Sequence, residues 1–262
     1  MENTAGKGFN PNDVTGIARP TMVLFFVVDT SGSMTGSKIT SVNVAIEDVL
    51  PEISDLSNSN ADAKIKVALL EFSNGARWVT SPDHPEDLYD FNFKHFTASG
   101  MTDLGKALDE LNSKLSRHTF LRTEGQERRG YMAPGIFFFT DGAPTDDWEP
   151  ALDRLRQNKW YQNAIRVAVA IGDDADMNVL ETITGKKELV TKVKDPKQLR
   201  AMIKFIAVTS SQIGSKSGTT ESIMGESTGA DDDLSNLNAN QIQMANELQT
   251  FADDLGGFDK GW

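Results

Sequence analysis

Seven apolar residues in succession, Met22-Val23-Leu24-Phe25-Phe26-Val27-Val28, run without a polar break into Asp29. A run that long with no alternation predicts a strand covered on both faces, as in a parallel sheet. Ser37 to Leu56 then places Ile39, Val42, Ala45, Ile46, Val49, Leu50 and Ile53 at helical spacing, with Pro51 expected to kink or end the helix. Lys64 to Phe72 predicts a second strand stopped by Ser73-Asn74-Gly75, and Arg77-Trp78-Val79-Thr80 a short edge strand leaving that turn. The following stretch, up to Ala98, contains prolines and aspartates and is expected as surface loop.

Asp103 to Leu115 carries Leu104, Ala107, Leu108, Leu111 and Leu115 on one helical face, while the charged Arg117 to Arg129 reads as an exposed connection. Ile136-Phe137-Phe138-Phe139-Thr140 is another buried strand, and it too ends in an acid, Asp141. Beyond it the pattern predicts a helix over Trp148 to Asn158, a strand over Ala164 to Ile171 and a short helix over Met177 to Thr184. A last strand follows over Leu189 to Val193, and a closing helix from Pro196 to Ile213. Strands alternating with helices indicate an α/β fold: a doubly wound, Rossmann-like, mostly parallel sheet with one short antiparallel edge strand and helices on both faces.

Three segments emerge: an N-terminal extension (1–20), the α/β domain (21–213) and a tail (214–262). The tail holds nine acids against two lysines. Its first half lacks periodic apolar residues, which favours disorder. Between 209 and 228 ten of twenty positions are Ser or Thr, a composition that suits phosphorylation. Ile242, Ala245, Leu248, Phe251, Ala252 and Leu255 return to helical spacing, predicting a helix over about 241–255 that packs on the domain or docks a partner.

Composition removes several function classes. No cysteine is present, which excludes thiolate metal sites and thiol nucleophiles and fits a reducing, cytoplasmic setting. Three histidines (His84, His95, His118) make a zinc site of several imidazoles a poor expectation. A net charge of −12 argues against non-specific nucleic-acid binding. The run at 22–28 is too short to span a membrane.

The candidate chemistry lies where the strands end. Asp29, Ser31 and Ser33 leave the first strand at its carboxyl end, the place where open α/β sheets bind ligands. They offer hard oxygens, which suit Mg²⁺, Mn²⁺ or Ca²⁺ better than zinc or copper. If the strands before Asp29 and Asp141 are neighbours at the topological switch, both carboxylates face one point, and Ser31, Ser33 and Thr102 reach it too. Neutral hydroxyls do not cancel a dication's charge, so such a centre would attract a carboxylate from another molecule.

Asp29-x-Ser31-x-Ser33, Thr102 in Gly-Met-Thr-Asp and Asp141 in Phe-Thr-Asp-Gly resemble the metal-ion-dependent adhesion site of von Willebrand factor A domains, with all five positions filled. More narrowly, Thr140 to Trp148 together with Ala170 to Asp176 resembles the bacterial TerY/YegL-like branch. The resemblance covers roughly Thr21 to Ser211. It implies a Rossmann-like fold, a Mg²⁺-type ion and non-catalytic binding of protein partners. It further implies a tellurite-resistance or related stress system, beside Ser/Thr kinases and phosphatases.

Simpler readings stand beside these. Asp29 to Ser33 suits a capped turn, Thr102 a helix N-cap, and Asp141-Gly142 an ordinary strand-ending turn. Asp103, Asp146 and Asp147 read as solvated loop acids. The Gly32 to Lys38 stretch misses the phosphate-loop spacing, and Lys38 is followed by Ile39 where Ser or Thr is needed. No Gly-x-Ser-x-Gly surrounds Ser33, and Asp174-x-Asp176-x-Asn178 has Val179 where an EF-hand loop requires glycine. A phosphatase with Asp29 as nucleophile would want a second acid two residues on, where this chain has Ser31. A scaffold acting through the acidic tail is the remaining alternative.

Overall fold

The computed structural model describes residues 19–59, 63–88, 91–122, 130–193, 195–216 and 232–254. Most of the N-terminal extension, part of the charged connection, the Ser/Thr-rich stretch beyond Lys216 and the closing residues from 255 lie outside these. Strands β1 (Thr21–Asp29), β2 (Lys64–Ser73), β3 (Gly75–Trp78), β4 (Glu86–Asp87), β5 (Gly135–Thr140), β6 (Ile165–Ile171) and β7 (Val190–Val193) form one sheet in the order β3-β2-β1-β5-β6-β7. β1, β2, β5, β6 and β7 are parallel, whereas β3 and the two-residue β4 both run antiparallel to β2. The edge strand after the turn thus begins and ends two residues earlier than the sequence suggests, and β4 pairs with β2 farther along.

Every residue of β1 is buried, and successive residues serve opposite layers. Met22, Leu24, Phe26 and Val28 face helices α1 (Ser37–Ser59), α6 (Pro196–Lys216) and α7 (Asp232–Asp254). Val23, Phe25 and Val27 face α2 (Leu104–Lys114), α3 (Glu149–Arg156), α4 (Lys159–Asn163) and α5 (Met177–Thr184). The two-residue period of a strand explains why the run had to be continuous: each parity has its own core. Truncating Phe26, fully buried between Phe137 and Phe139, would cost about 3–5 kcal/mol.

Three segments depart from the sequence reading. α1 continues through Pro51 to Ser59, because Ile53 and Ser57 stay buried and Ser57 Oγ accepts a hydrogen bond from Ile65 N at 2.8 Å. That anchoring outweighs the missing backbone donor. The stretch before Ala98 is not simply surface loop: Phe96 is buried, Phe91 and Phe93 pack against the core, and Asn43 exchanges two hydrogen bonds with the Phe96 backbone. α4 was hidden in the sequence by its length; Asn158 caps it, and it buries Trp160 and Tyr161.

α7 begins at Asp232, nine residues before the apolar spacing becomes regular, and lies on the domain. Met244, Ala245 and Leu248 are buried in the α1–α6 layer, Phe251 stacks on Phe205 at 4.1 Å, and Gln241 Oε1 accepts from Arg166 N. Among the described residues no helix is long and apolar enough to cross a membrane.

Candidate metal centre

The chain leaves β1 for β2 on one side and, later, enters β5 on the other, so the topological switch lies between β1 and β5. Val28 pairs with Phe139, which sets Asp29 beside Thr140 and Asp141 at the carboxyl ends of the two strands. The crevice expected at such a point is therefore lined by both acids.

Asp29 is fully buried. Its Oδ1 accepts from Ser31 N at 2.8 Å and its Oδ2 from Thr140 Oγ1 at 2.6 Å. Burial pushes its carboxyl above the ordinary carboxylate range; the bonds from Ser31 and Thr140 pull it back, and the charge of Asp141 pushes it up again. Asp141 is also buried: Oδ2 receives Lys38 Nζ at 3.1 Å, and Oδ1 has no hydrogen-bond partner.

Ser31 Oγ and Ser33 Oγ are hydrogen-bonded to each other at 3.0 Å, a separation that adjacent ligands of an octahedral ion at about 2.1 Å would also have. Thr102 is held through its backbone by Thr145. Its N donates to Thr145 Oγ1 and its O accepts from Thr145 N, both at 2.9 Å. The Thr102 loop is also tied to the Ser31 loop, by Gly32 N to Gly100 O at 3.0 Å and Ser99 N to Thr30 O at 2.8 Å. Gly100 sits at φ +86°, and a Cβ there would fall 2.6 Å from Asn74, whose Oδ1 holds Met101 N. Only glycine allows that close approach.

The simpler readings fare differently. Ser31 precedes a short 3₁₀ turn but makes no side-chain cap bond. The N-cap of α2 is Asp103, not Thr102, and the Asp103 carboxylate instead accepts from Gly75 N at 2.9 Å. Asp146 is not a solvated acid: Oδ2 accepts from Gly105 N at 2.8 Å, Oδ1 is buried without a partner, and burial raises its pKa. Asp176 caps α5 through Asn178 N and Val179 N.

Two neighbours of the site carry no local sequence signal. Thr140 ends a strand and bonds Asp29. Lys38, whose surroundings miss the phosphate-loop spacing, sits beside Asp141. Its partners are 103 and 136 residues away, so local pattern carries no signal for them.

The donor set fits a hard dication. It supplies two carboxylates, one with an orphaned buried oxygen, and paired hydroxyls at octahedral spacing. Among the described residues no group of three or more His, Cys, Asp or Glu side chains is placed to hold a metal. Any ion here must therefore rely on hydroxyl oxygens.

A family model described as von Willebrand factor type A domain matches residues 24–205. Among solved structures, the chain resembles the pilus adhesin SpaC of Lactobacillus rhamnosus GG in its open conformation (TM-score 0.55, 15% identity, 74% of this chain and 30% of that one). It also resembles the ArnB paralog VWA2 of Sulfolobus acidocaldarius (TM-score 0.52, 17% identity, 73% and 45%). A third is proximal thread matrix protein 1 of the mussel byssus, in a structure described as having a zinc-occupied MIDAS motif (TM-score 0.50, 12% identity, 72% and 48%). The chain thus spans less than half the length of each of these relatives, and at such identities the likeness is one of fold. Comparison with curated proteins finds no match.

Proposed function

Since the chain belongs to the von Willebrand factor type A domain family, we propose that it is a non-catalytic, divalent-metal-dependent protein-interaction module. In this reading Ser31, Ser33 and Thr102 are direct ligands, and Asp29 and Asp141 hold the ion directly or through water. Mg²⁺ is the proposed ion, with Mn²⁺ and Ca²⁺ compatible with the same oxygens. The bound ion supplies an electrophilic position that an acidic side chain of a partner protein can fill.

One observation carries the proposal: Asp141, buried to 3% of its side-chain surface, keeps one oxygen without a hydrogen-bond partner beside a second buried carboxylate. Lys38 meets the other oxygen, but a buried acceptor atom left without a partner is costly and is retained where a ligand satisfies it. The chain's own groups do the rest. Ser31 N and Thr140 Oγ1 orient Asp29, the 29–33 and 98–102 loops are held together by backbone bonds, and Thr145 fixes Thr102.

We further place the protein in the TerY/YegL-like branch, in a cytoplasmic stress or tellurite-resistance-type system with a Ser/Thr kinase and phosphatase as partners. The support is the paired motif Thr140 to Trp148 and Ala170 to Asp176, whose two halves meet where Asp176 N donates to Asp141 O at 2.7 Å. A pull-down from native cells in Mg²⁺ and in EDTA, with wild type and Asp141→Ala, tests both parts. Partner capture is expected only for wild type in Mg²⁺, and capture that survives EDTA refutes the module. The identities of the captured proteins decide the system.

A further inference from the structure

Lys38, in the first turn of α1, reaches across the crevice and binds two acids at once. Its Nζ lies 3.1 Å from Asp141 Oδ2 and 2.7 Å from Asp174 Oδ1. The side chain is 17% exposed, Asp141 3% and Asp174 70%. The seat is shaped for it: a Cβ at Gly172 would fall 2.5 Å from Lys38 Cε, and Gly172 stands at φ +95°, where side chains are rarely tolerated. Burial disfavours the ammonium, but Asp174 and Asp141 together hold it firmly charged.

We infer that Lys38 is a built-in counter-cation that lowers the centre's affinity for a divalent ion and raises the attraction of the loaded centre for an acidic ligand. This rests on the metal reading given above. Two carboxylates, Asp29 and Asp141, neutralise a dication. Lys38 adds a positive charge on the same buried carboxylate, while its compensating Asp174 lies mostly in solvent, where its field is screened. The ion is therefore bound against local repulsion, and the loaded site keeps a net positive field toward an arriving carboxylate. In metal-free protein the same ammonium is what neutralises Asp141. Lys38 is thus a positioning and affinity-setting residue, not a ligand.

The test is a Mn²⁺ titration of the full chain, followed by electron paramagnetic resonance, with thermal melts in EDTA. A unit charge acting on a dication about 6 Å away through a water-like dielectric shifts binding by about tenfold. Lys38→Met should therefore bind Mn²⁺ about tenfold more tightly while melting at a lower temperature in EDTA, since it strands the buried Asp141 charge. A merely structural lysine would lower both.

Asp174→Asn, at an exposed position, provides a second handle that needs only the wild-type background: freeing the Lys38 charge from its partner should weaken Mn²⁺ binding, and unchanged binding overturns the inference. Where Lys38→Met folds, Asp174→Asn should leave its Mn²⁺ binding unchanged. If wild type binds Mn²⁺ and Lys38→Met binds no tighter, the inference is overturned while the metal centre stands. Equal weakening by Asp174→Asn in both backgrounds also overturns it, since the effect would not pass through Lys38. Absence of Mn²⁺ binding by wild type itself defeats the metal reading and this inference with it.

Discussion

Thr140 Oγ1 donates a 2.6 Å hydrogen bond to Asp29 Oδ2, across two parallel strands whose residues lie 111 positions apart. The same oxygen accepts from Gly142 N at 2.8 Å, so one hydroxyl orients the first carboxylate and shapes the turn that presents the second. Both acids are consequently fixed by backbone and strand geometry before any ion arrives.

Thr140→Val keeps the β-branched shape in the core but removes that donor and acceptor. A buried hydrogen bond to a charged group contributes about 1.5–3 kcal/mol, and loss of that order is expected in urea unfolding at neutral pH. Metal affinity should fall as well, because Asp29 loses orientation. Unchanged stability would mean that water replaces the hydroxyl at no cost.

Asp29 makes the metal-free fold less stable as pH rises. Its folded pKa lies above the ordinary value of 3.8, with burial the main cause, so the folded chain holds that proton more tightly than the unfolded one. Its contribution is fully present below that value and is lost as pH climbs through the folded pKa. Asp29→Asn should accordingly flatten the fall in EDTA melting temperature as pH rises above the ordinary carboxylate range, whatever its absolute stability, since its single oxygen replaces only one of two accepted bonds. It should also lose the stabilisation proposed for Mg²⁺ on wild type, which would be about 2.7 kcal/mol at a hundredfold excess over the dissociation constant. Melts across pH with and without Mg²⁺ check both halves; an unchanged pH slope in EDTA would show that burial of this charge is already compensated.

The parts of the site that the sequence exposes are those set by local order. Asp29, Ser31 and Ser33 share one loop, and the apolar runs before Asp29 and Asp141 announce buried strands ending in acids. That the two strands are neighbours at the switch stands only as a condition in the sequence, and the sheet order supplies it. Contacts set by tertiary packing stay hidden. Lys38 meets Asp141 only because α1 starts beside the β5 loop, and Asp146 turns inward only because Gly105 leaves room for it. The aromatic stretch around Phe93 and Phe96 looks like loop because it lacks period, although it is buried by its neighbours.

Met101, next to Thr102, is 54% exposed. A single exposed apolar side chain is ordinary on a protein surface, but beside a polar anchor it offers a partner an apolar contact. Met101→Ser should weaken capture of the acidic partner by about tenfold, an effect of about 1.4 kcal/mol, without altering Mn²⁺ affinity. Equal loss of both would place Met101 in the loop's architecture instead of on the partner surface.

α7 separates the interaction-module reading from a scaffold that works through its tail. Leu248 is buried against the α1–α6 layer, and Phe251 stacks on Phe205. Leu248→Ala should cost about 2–4 kcal/mol, because the cavity is enclosed by the layer it leaves. Mg²⁺-dependent partner binding should survive, since the proposed metal centre lies on the carboxyl ends of β1 and β5 while α7 covers a helical face. Deleting the chain from residue 217 onward should give the same split: lower stability, retained capture. Loss of capture in a deletion that still folds and still binds Mn²⁺ would move the contact to the tail and leave the metal a structural role.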